Sequence, residues 1–147
     1  MKPVLYLDVD GVLFGLYGTP EAFQLRPGVT SFLTWIHERF QLSWLTAWSQ
    51  RSVEHLCDSI YFREVNQTRY VNWSGYAGKE LWLAERKDTL AKVDWLWIDD
   101  NLPVPERLRE LGLDPARCLP AAPTGADELQ RLQGLLQDHL SLPQSDS

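Results

Sequence analysis

Two pairs of aspartates directly follow two short apolar segments of the chain. Asp8 and Asp10 end the first segment within the sequence DVDGVL, Asp99 and Asp100 end the second within WIDDN, and Thr46 ends a third. One such aspartate could equally be a solvated strand end or a helix cap, but two pairs together favour a shared site. Close carboxylates repel one another, and a hard cation that prefers oxygen ligands, such as Mg²⁺, relieves that repulsion. The four aspartates therefore indicate a magnesium site.

The segments that carry these residues have the length and composition of buried parallel strands. They cover Val4–Val9, Leu42–Thr46 and Trp95–Ile98, and they are too short for helices. Amphipathic stretches between and after them predict helices over 29–40, from Ser49 or Ser52 to 57, and over 79–90, 103–111 and 126–140, with a short edge strand at 117–119. This alternation predicts an α/β fold, a three-layer Rossmann-like open parallel sheet with helices on both faces. We expect one domain over residues 1–140 and a disordered tail over 141–147.

Composition limits the classes of function. The chain has 147 residues and a net charge of −6, which argues against broad binding to nucleic acid. Cys57 and Cys118 are far apart and lack the spacing of metal ligands, so we expect reduced thiols. Two aspartates interrupt the first apolar run, so this run does not have the pattern of a signal peptide. No run approaches the ~20 apolar residues of a membrane span. The sequence therefore predicts a cytoplasmic protein without membrane contact.

Taken in order, these segments resemble the motifs of the haloacid dehalogenase superfamily, most of whose members are phosphatases. The superfamily's four motifs are a strand ending in Asp-x-Asp-Gly-x, a strand ending in Thr or Ser, a Lys that opens a helix, and a strand ending in two acids. They are matched by Asp8–Val12, Leu42–Thr46, Lys79 and Trp95–Asp100, which together span residues 4–101. Lys87 and Lys92 also precede the last strand, so the choice of lysine stays open.

A narrower resemblance concerns three short stretches of the chain. Trp44–Trp48, Asp99-Asp100 and Thr124-Gly125 are similar to a compact bacterial subgroup found partly in RNA-repair proteins.

The resemblance to the superfamily implies a role for each residue of the site. Asp8 is the nucleophile that forms an aspartyl-phosphate, and Asp10 is the general acid and base. Thr46, the backbone N–H of Ala47 and the ammonium of Lys79 bind the phosphoryl group. The four aspartates hold Mg²⁺. The implied activity is the hydrolysis of a phosphomonoester.

Substrate and partners are less constrained by the sequence. The gaps from Leu13 to Gly28 and from Trp48 to Gly78 are too short for the cap domain that many members insert there, so we expect an open site unless a partner or second subunit covers it. The substrate class is a phosphorylated small molecule or nucleotide, with a nucleic-acid end possible but not favoured. The competing interpretations are a nucleotide or nucleic-acid-end phosphatase and a catalytically silent binding module. Oligomeric state stays open.

Two further segments have a structural interpretation that we favour over a functional one. Arg26 lies near the loop after the first motif, and a role at the entry to the first helix is favoured over contact with substrate. The aromatic and basic residues of 63–73 are favoured as packing residues over a nucleotide-stacking surface.

Overall fold

The structure, a computed structural model, describes residues 1–142 of the chain. These residues form seven short strands and six helices. The strands are β1 (Val4–Leu7), β2 (Phe14–Tyr17), β3 (Ala22–Leu25), β4 (Gln41–Trp44), β5 (Arg69–Tyr70), β6 (Trp95–Asp99) and β7 (Cys118–Pro120). The helices are α1 (Val29–Arg39), α2 (Gln50–Ser59), α3 (Lys79–Glu85), α4 (Lys87–Leu90), α5 (Pro105–Glu110) and α6 (Glu128–Leu140), with single 3-10 turns at Arg63–Gln67 and Pro115–Arg117.

Five of the strands form one parallel sheet in the order β5-β4-β1-β6-β7. The central strand β1 pairs with β4 on one side and β6 on the other, and Leu7 lies opposite both Trp44 and Ile98. Just beyond this pairing, the N–H of Asp8 donates to the carbonyl of Ile98 at 3.2 Å, and the N–H of Leu45 donates to the carbonyl of Leu7 at 3.0 Å. The register therefore brings the carboxyl ends of the three strands level with one another.

Helices cover both faces of this sheet because its strands alternate apolar side chains above and below. Leu5 and Leu7 pack in a buried cluster with residues of α1, α2 and α6. Tyr6 and Trp97 pack in a second cluster with residues of α3, α4 and α5. The predicted α/β class with a parallel sheet is confirmed, and the arrangement is compatible with a Rossmann-like fold.

The boundaries of most elements agree with the sequence prediction to within two residues. Of the two serines considered as caps for the second helix, Ser49 is the N-cap, and its side chain accepts a hydrogen bond from the N–H of Ser52. This is the usual way to satisfy an N–H of the first helical turn.

The helix predicted over Lys79–Leu90 is instead two helices, α3 and α4, which meet at Arg86. This residue has φ −105° and ψ 15°. Its guanidinium lies 3.9 Å from the ring centroid of Trp82 and donates to the carbonyl of the same residue at 3.0 Å. Leu83 and Leu90 are both buried, one in each helix. Two short helices therefore bury the same apolar positions that led us to predict one long helix.

The segment between Leu13 and Gly28, predicted as a loop, contains an antiparallel hairpin of β2 and β3. Each strand has four residues and much of their surface is exposed, so the alternation that identifies a half-buried strand is weak there. The gap from Trp48 to Gly78 was predicted to hold one helix and a short irregular or strand segment, and it contains α2 and the two-residue edge strand β5. Of the predicted disordered tail, residues 143–147 lie outside the described residues.

Cys57 and Cys118 are free and buried, and burial raises the pKa of each thiol to about 12. Across residues 1–142, no helix combines the length and the hydropathy needed to cross a membrane.

Candidate functional site

Three carboxylates gather at the carboxyl ends of β1 and β6. One oxygen from each of Asp8, Asp99 and Asp100 lies within 4.8 Å of the others. Asp8 and Asp99 are only 6% and 2% exposed, whereas Asp100 is exposed. The carboxylate of Asp10 is not a member of this group, although the residue lines the same cleft and is exposed. Of the four carboxylates that the sequence predicts to converge, three therefore lie together.

Lys79 places its ammonium between two of these carboxylates. Its Nζ lies 2.6 Å from Oδ2 of Asp99 and 3.3 Å from Oδ2 of Asp8. Lys79 is the first residue of α3, so the start of this helix fixes the position from which the side chain reaches the strand ends. Lys87, one of the two alternatives that the sequence left open, instead has its side chain beside Gly112 in a groove formed with Leu90.

The surroundings of Asp8 oppose its negative charge. Burial and the nearby carboxylate of Asp99 raise the pKa of Asp8 to about 7, although Lys79, the Thr46 hydroxyl and the N–H of Val9 all favour the charged form. The N–H of Val9 donates to Oδ1 of Asp8 at 2.8 Å. A second cation in the cleft would hold Asp8 ionised at neutral pH, because it offsets the repulsion from Asp99.

Asp99 is held from two sides. Its Oδ2 accepts from Lys79, and its Oδ1 accepts from the N–H of Asn101 at 3.0 Å. Asp100 follows directly and leans towards the turn after β1. Desolvation and the carboxyl group of Asp99 raise the pKa of Asp100. The carboxylate of Asp99 is therefore fixed at the bottom of the cleft, and that of Asp100 lies at its solvent-exposed edge.

The turn after β1 accommodates Asp100 because residue 11 is glycine. A β-carbon on Gly11 would lie 2.0 Å from Oδ2 of Asp100, and the φ of Gly11 is +77°. Both the close approach and the left-handed backbone favour glycine. The glycine of the Asp-x-Asp-Gly pattern thus determines how closely the first and last acidic pairs approach.

Thr46 and Ala47 lie in the loop after β4. Thr46 is buried, its Oγ1 accepts from the N–H of Trp48 at 3.2 Å, and its carbonyl accepts from the indole N–H of Trp73 at 2.8 Å. Ala47 lines the cleft beside the aspartates. The phenol of Tyr70 donates to the carbonyl of Trp48 at 2.6 Å. Two aromatic side chains therefore fix the backbone of this loop.

These groups surround an open cleft of about 500 Å³. Its walls carry all four predicted aspartates together with Ala47 and Lys79. Trp97 also contributes to the wall, and its indole nitrogen is the one buried side-chain polar atom without a hydrogen bond in the described part of the chain. Carboxylates, an ammonium and backbone N–H groups at strand ends are chemically suited to bind a cation and an anion side by side.

A wider surface groove of about 670 Å³ runs along α2 and includes Arg51 and His55. No carboxylate lines it, so it lacks the groups for the chemistry of the cleft. His55, like His37 and His139, lies outside the cleft walls.

Arg26 has a role that the sequence did not indicate. It is 1% exposed, and its guanidinium donates to the carbonyls of Val12 at 2.8 Å and Gly11 at 3.2 Å. It also donates to the carbonyls of Ala122, at 2.7 Å, and Gly125. The side chain thus joins the loop after β1 to the loop after β7, which corrects the favoured interpretation as a helix-entry residue. The one signal in the sequence for this role is that Arg26 lies near the loop after the first motif.

Comparisons with known proteins do not identify a family. No protein-family model matches the chain, and no curated protein matches it. Among solved structures, a hypothetical protein from Xanthomonas campestris is similar, with 18% sequence identity and a TM-score of 0.45. The alignment covers 95% of this chain and 87% of that one.

Proposed function

We propose that this protein is a Mg²⁺-dependent phosphomonoester hydrolase that acts through an aspartyl-phosphate on Asp8. The observation that carries the proposal is the contact between Lys79 and Asp8, at 3.3 Å, beside the carboxylates of Asp99 and Asp100. A buried carboxylate next to both a lysine and a cluster of oxygen ligands can attack an electrophile whose charge those neighbours neutralise. The motif resemblance to the haloacid dehalogenase superfamily agrees with this chemistry.

The donor set at the strand ends suits Mg²⁺. It consists of carboxylate oxygens, which hard divalent cations prefer, and it includes no thiol or imidazole. Three carboxylates face one ammonium, so negative charge remains in excess before a cation binds. Asp8, Asp99 and Asp100 would hold the ion, which supplies charge neutralisation for the phosphoryl oxygens.

Bond formation in the first step is assigned to Asp8. A carboxylate oxygen of Asp8 attacks phosphorus, and the bond from phosphorus to the leaving oxygen breaks. Asp10, exposed in the same cleft, donates a proton to that leaving oxygen. Lys79 and the hydroxyl of Thr46 stabilise the charge on the phosphoryl group, and the N–H of Ala47 is available from the loop after β4.

The second step returns the enzyme to its starting state. Asp10, now a carboxylate, removes a proton from a water molecule as that water attacks the phosphorus of the phospho-aspartate. The bond between phosphorus and Asp8 breaks, inorganic phosphate leaves, and Asp10 holds a proton again. Hydrolysis rather than transfer is favoured because a carboxylate at position 10 can activate water.

Access to the site is consistent with a hydrolase that lacks a full cap. The hairpin of β2 and β3 occupies the place after the first motif, and α2 with the short strand β5 occupies the place after the second. Neither insertion contains a second layered domain. We therefore propose that the substrate enters from solvent and that selectivity comes from the walls beside the cleft.

The proposal is tested by hydrolysis of p-nitrophenyl phosphate with Mg²⁺ and with EDTA. We expect turnover that requires Mg²⁺ in the wild type and is abolished in Asp8→Asn, which keeps the shape of the side chain but removes the nucleophile. Metal-dependent binding of phosphate without turnover in the wild type would instead assign a silent binding module.

A further inference from the structure

A second concave surface adjoins the cleft. It is a recess of about 330 Å³ lined by Thr46, Ala47, Tyr70, Asn72, Trp73, Ser74 and Tyr76. Ala47 and Trp73 line both the recess and the cleft. The two surfaces therefore share a wall, and a ligand with two chemically different ends could occupy both.

The aromatic residues of the recess are held in place rather than loosely packed. The indole of Trp73 donates to the carbonyl of Thr46 at 2.8 Å, and the phenol of Tyr70 donates to the carbonyl of Trp48 at 2.6 Å. The phenol of Tyr76 donates to Glu85. All three side chains are half-buried, so each keeps part of its surface towards the recess. Rings that are already fixed lose little conformational freedom when a ligand stacks on them.

The charges of the two surfaces differ. The cleft has four aspartates, Glu80 and Lys79, whereas no charged side chain lines the recess. Asn72 and Ser74 supply polar groups at its edge, where Oδ1 of Asn72 accepts from the Ser74 hydroxyl at 2.7 Å. This environment suits a flat, uncharged ring with polar edges.

The phosphate-binding lysine of the cleft lies near the wall that the two surfaces share. Nζ of Lys79, which would meet the phosphoryl group, lies 5.9 Å from the ring centroid of Trp73. Asp8, Lys79 and Asp99 line the cleft and not the recess. A phosphate bound at Lys79 is therefore close enough to Trp73 for a base joined to it through a sugar unit to reach the recess.

We propose that the recess of Tyr70, Trp73 and Tyr76 binds the base of a nucleoside monophosphate whose phosphate lies in the cleft. This inference rests on the proposed phosphatase function and specifies its substrate class. A free nucleotide and the phosphorylated end of an oligonucleotide both carry a base next to a phosphate, so either could bind in this way. The net charge of −6 disfavours extensive contact with the phosphates of a longer strand, so the free nucleotide is the expected source.

The first experiment compares kcat/KM with Mg²⁺ for adenosine monophosphate (5′ and 3′), ribose 5-phosphate and p-nitrophenyl phosphate. We expect a preference for a nucleotide over the sugar phosphate, and Tyr76→Leu should lower that preference by roughly tenfold. Tyr61→Leu is the matched control, because Tyr61 is an exposed aromatic beside Arg63 that lies outside the recess. Equal efficiency on adenosine monophosphate and ribose 5-phosphate, or an equal loss for both in Tyr76→Leu, would overturn the proposal.

A short oligonucleotide with a terminal phosphate identifies the source of the ligand. Higher efficiency on the mononucleotide assigns a free nucleotide, and higher efficiency on the oligonucleotide assigns a nucleic-acid end. Either preference supports a base subsite, provided that it falls in Tyr76→Leu.

A binding measurement separates this inference from the phosphatase proposal. In Asp8→Asn with Mg²⁺, we expect adenosine monophosphate to shift the NMR signal of the Trp73 indole N–H clearly further than ribose 5-phosphate does, and equal shifts for the two ligands would contradict the base subsite. If that shift occurs while the wild type hydrolyses none of the substrates, the base subsite stands and the phosphatase proposal fails. If p-nitrophenyl phosphate is hydrolysed but adenosine monophosphate causes no shift, the phosphatase stands and the base subsite is wrong.

Discussion

The carboxylate of Asp100 occupies the space that a side chain on Gly11 would fill. A β-carbon at residue 11 would lie 2.0 Å from Oδ2 of Asp100. This contact joins the turn after β1 to the end of β6, and it brings the last acidic pair of the sequence against the first.

Gly11→Ala should therefore displace Asp100 as well as strain the backbone. We expect the substitution to lower the free energy of unfolding by about 1–2 kcal/mol, the cost of a left-handed backbone for a residue with a β-carbon. It should also greatly reduce the increase in Tm that Mg²⁺ causes. Gly28→Ala is the matched control, since Gly28 has φ +80° and open space around it. Equal responses to Mg²⁺ in the two variants would contradict the role assigned to Gly11.

The stability of the protein without added metal should depend on the protonation of Asp8. The pKa of Asp8 is about 7 in the folded protein and lower in the unfolded chain, so the folded state binds more protons between these values. The free energy of unfolding then falls as the pH rises from about 4 to 7. Urea denaturation across this range measures the slope, which we expect to be shallower in Asp8→Asn.

Mg²⁺ should reverse this loss of stability, because the ion and the proton compete for the same carboxylates. We expect the increase in Tm on adding Mg²⁺ to be larger at pH 8 than at pH 5. A shift that is equal at the two pH values, or larger at pH 5, would mean that Mg²⁺ does not bind at these carboxylates.

Lys79 should contribute to catalysis more than to metal binding. Lys79→Met removes the ammonium beside Asp8 and Asp99, and we expect kcat/KM to fall by about a hundredfold or more. Because the carboxylates lose their internal counter-ion, the increase in Tm on adding Mg²⁺ should grow rather than shrink. Lys87→Met is the control, as this lysine lies beside Gly112. Loss of activity in Lys87→Met with little change in Lys79→Met would contradict the assignment.

Arg26 should hold the loop of the first motif in position. Arg26→Met leaves four backbone carbonyls without their donors, and we expect it to lower the free energy of unfolding by about 3 kcal/mol or more. Arg26→Lys should restore only part of this, because an ammonium cannot reproduce the planar set of donors. The control is Arg39→Met, since Arg39 donates to a single backbone carbonyl, that of Trp35. Equal unfolding midpoints in urea for Arg26→Met and Arg39→Met would refute this role.

The sequence predicted the parts of the site that depend on local pattern. Asp8 and Asp99 stand directly after apolar segments of strand length, so their place at one edge of a parallel sheet followed from the class of fold. Lys79 follows a glycine and starts an amphipathic stretch, which made it a candidate for the lysine at a helix start. In each case the signal lies within a few consecutive residues of the sequence.

The parts that the sequence did not predict depend on contacts between distant segments. Arg26 binds backbone carbonyls in two loops, and one of these carbonyls, that of Gly125, is 99 positions from Arg26 along the chain. The residues that flank Arg26 in the sequence do not indicate this contact. Similarly, the bond from Trp73 to the carbonyl of Thr46 joins two loops through the fold. The sequence favours packing as the role of the aromatic residues of 63–73. The structure shows that Tyr70 and Trp73 pack and also line a recess.

The central claim is that Asp8 forms a covalent phosphoenzyme. The most direct test is mass spectrometry of the protein quenched in acid during turnover of p-nitrophenyl phosphate with Mg²⁺. We predict a phosphoryl group on the peptide that contains Asp8 in the wild type, a larger fraction in Asp10→Asn, where hydrolysis of the intermediate is slowed, and none in Asp8→Asn. Multiple turnover by Asp8→Asn, or wild-type turnover without phosphorylation of that peptide, would contradict the account.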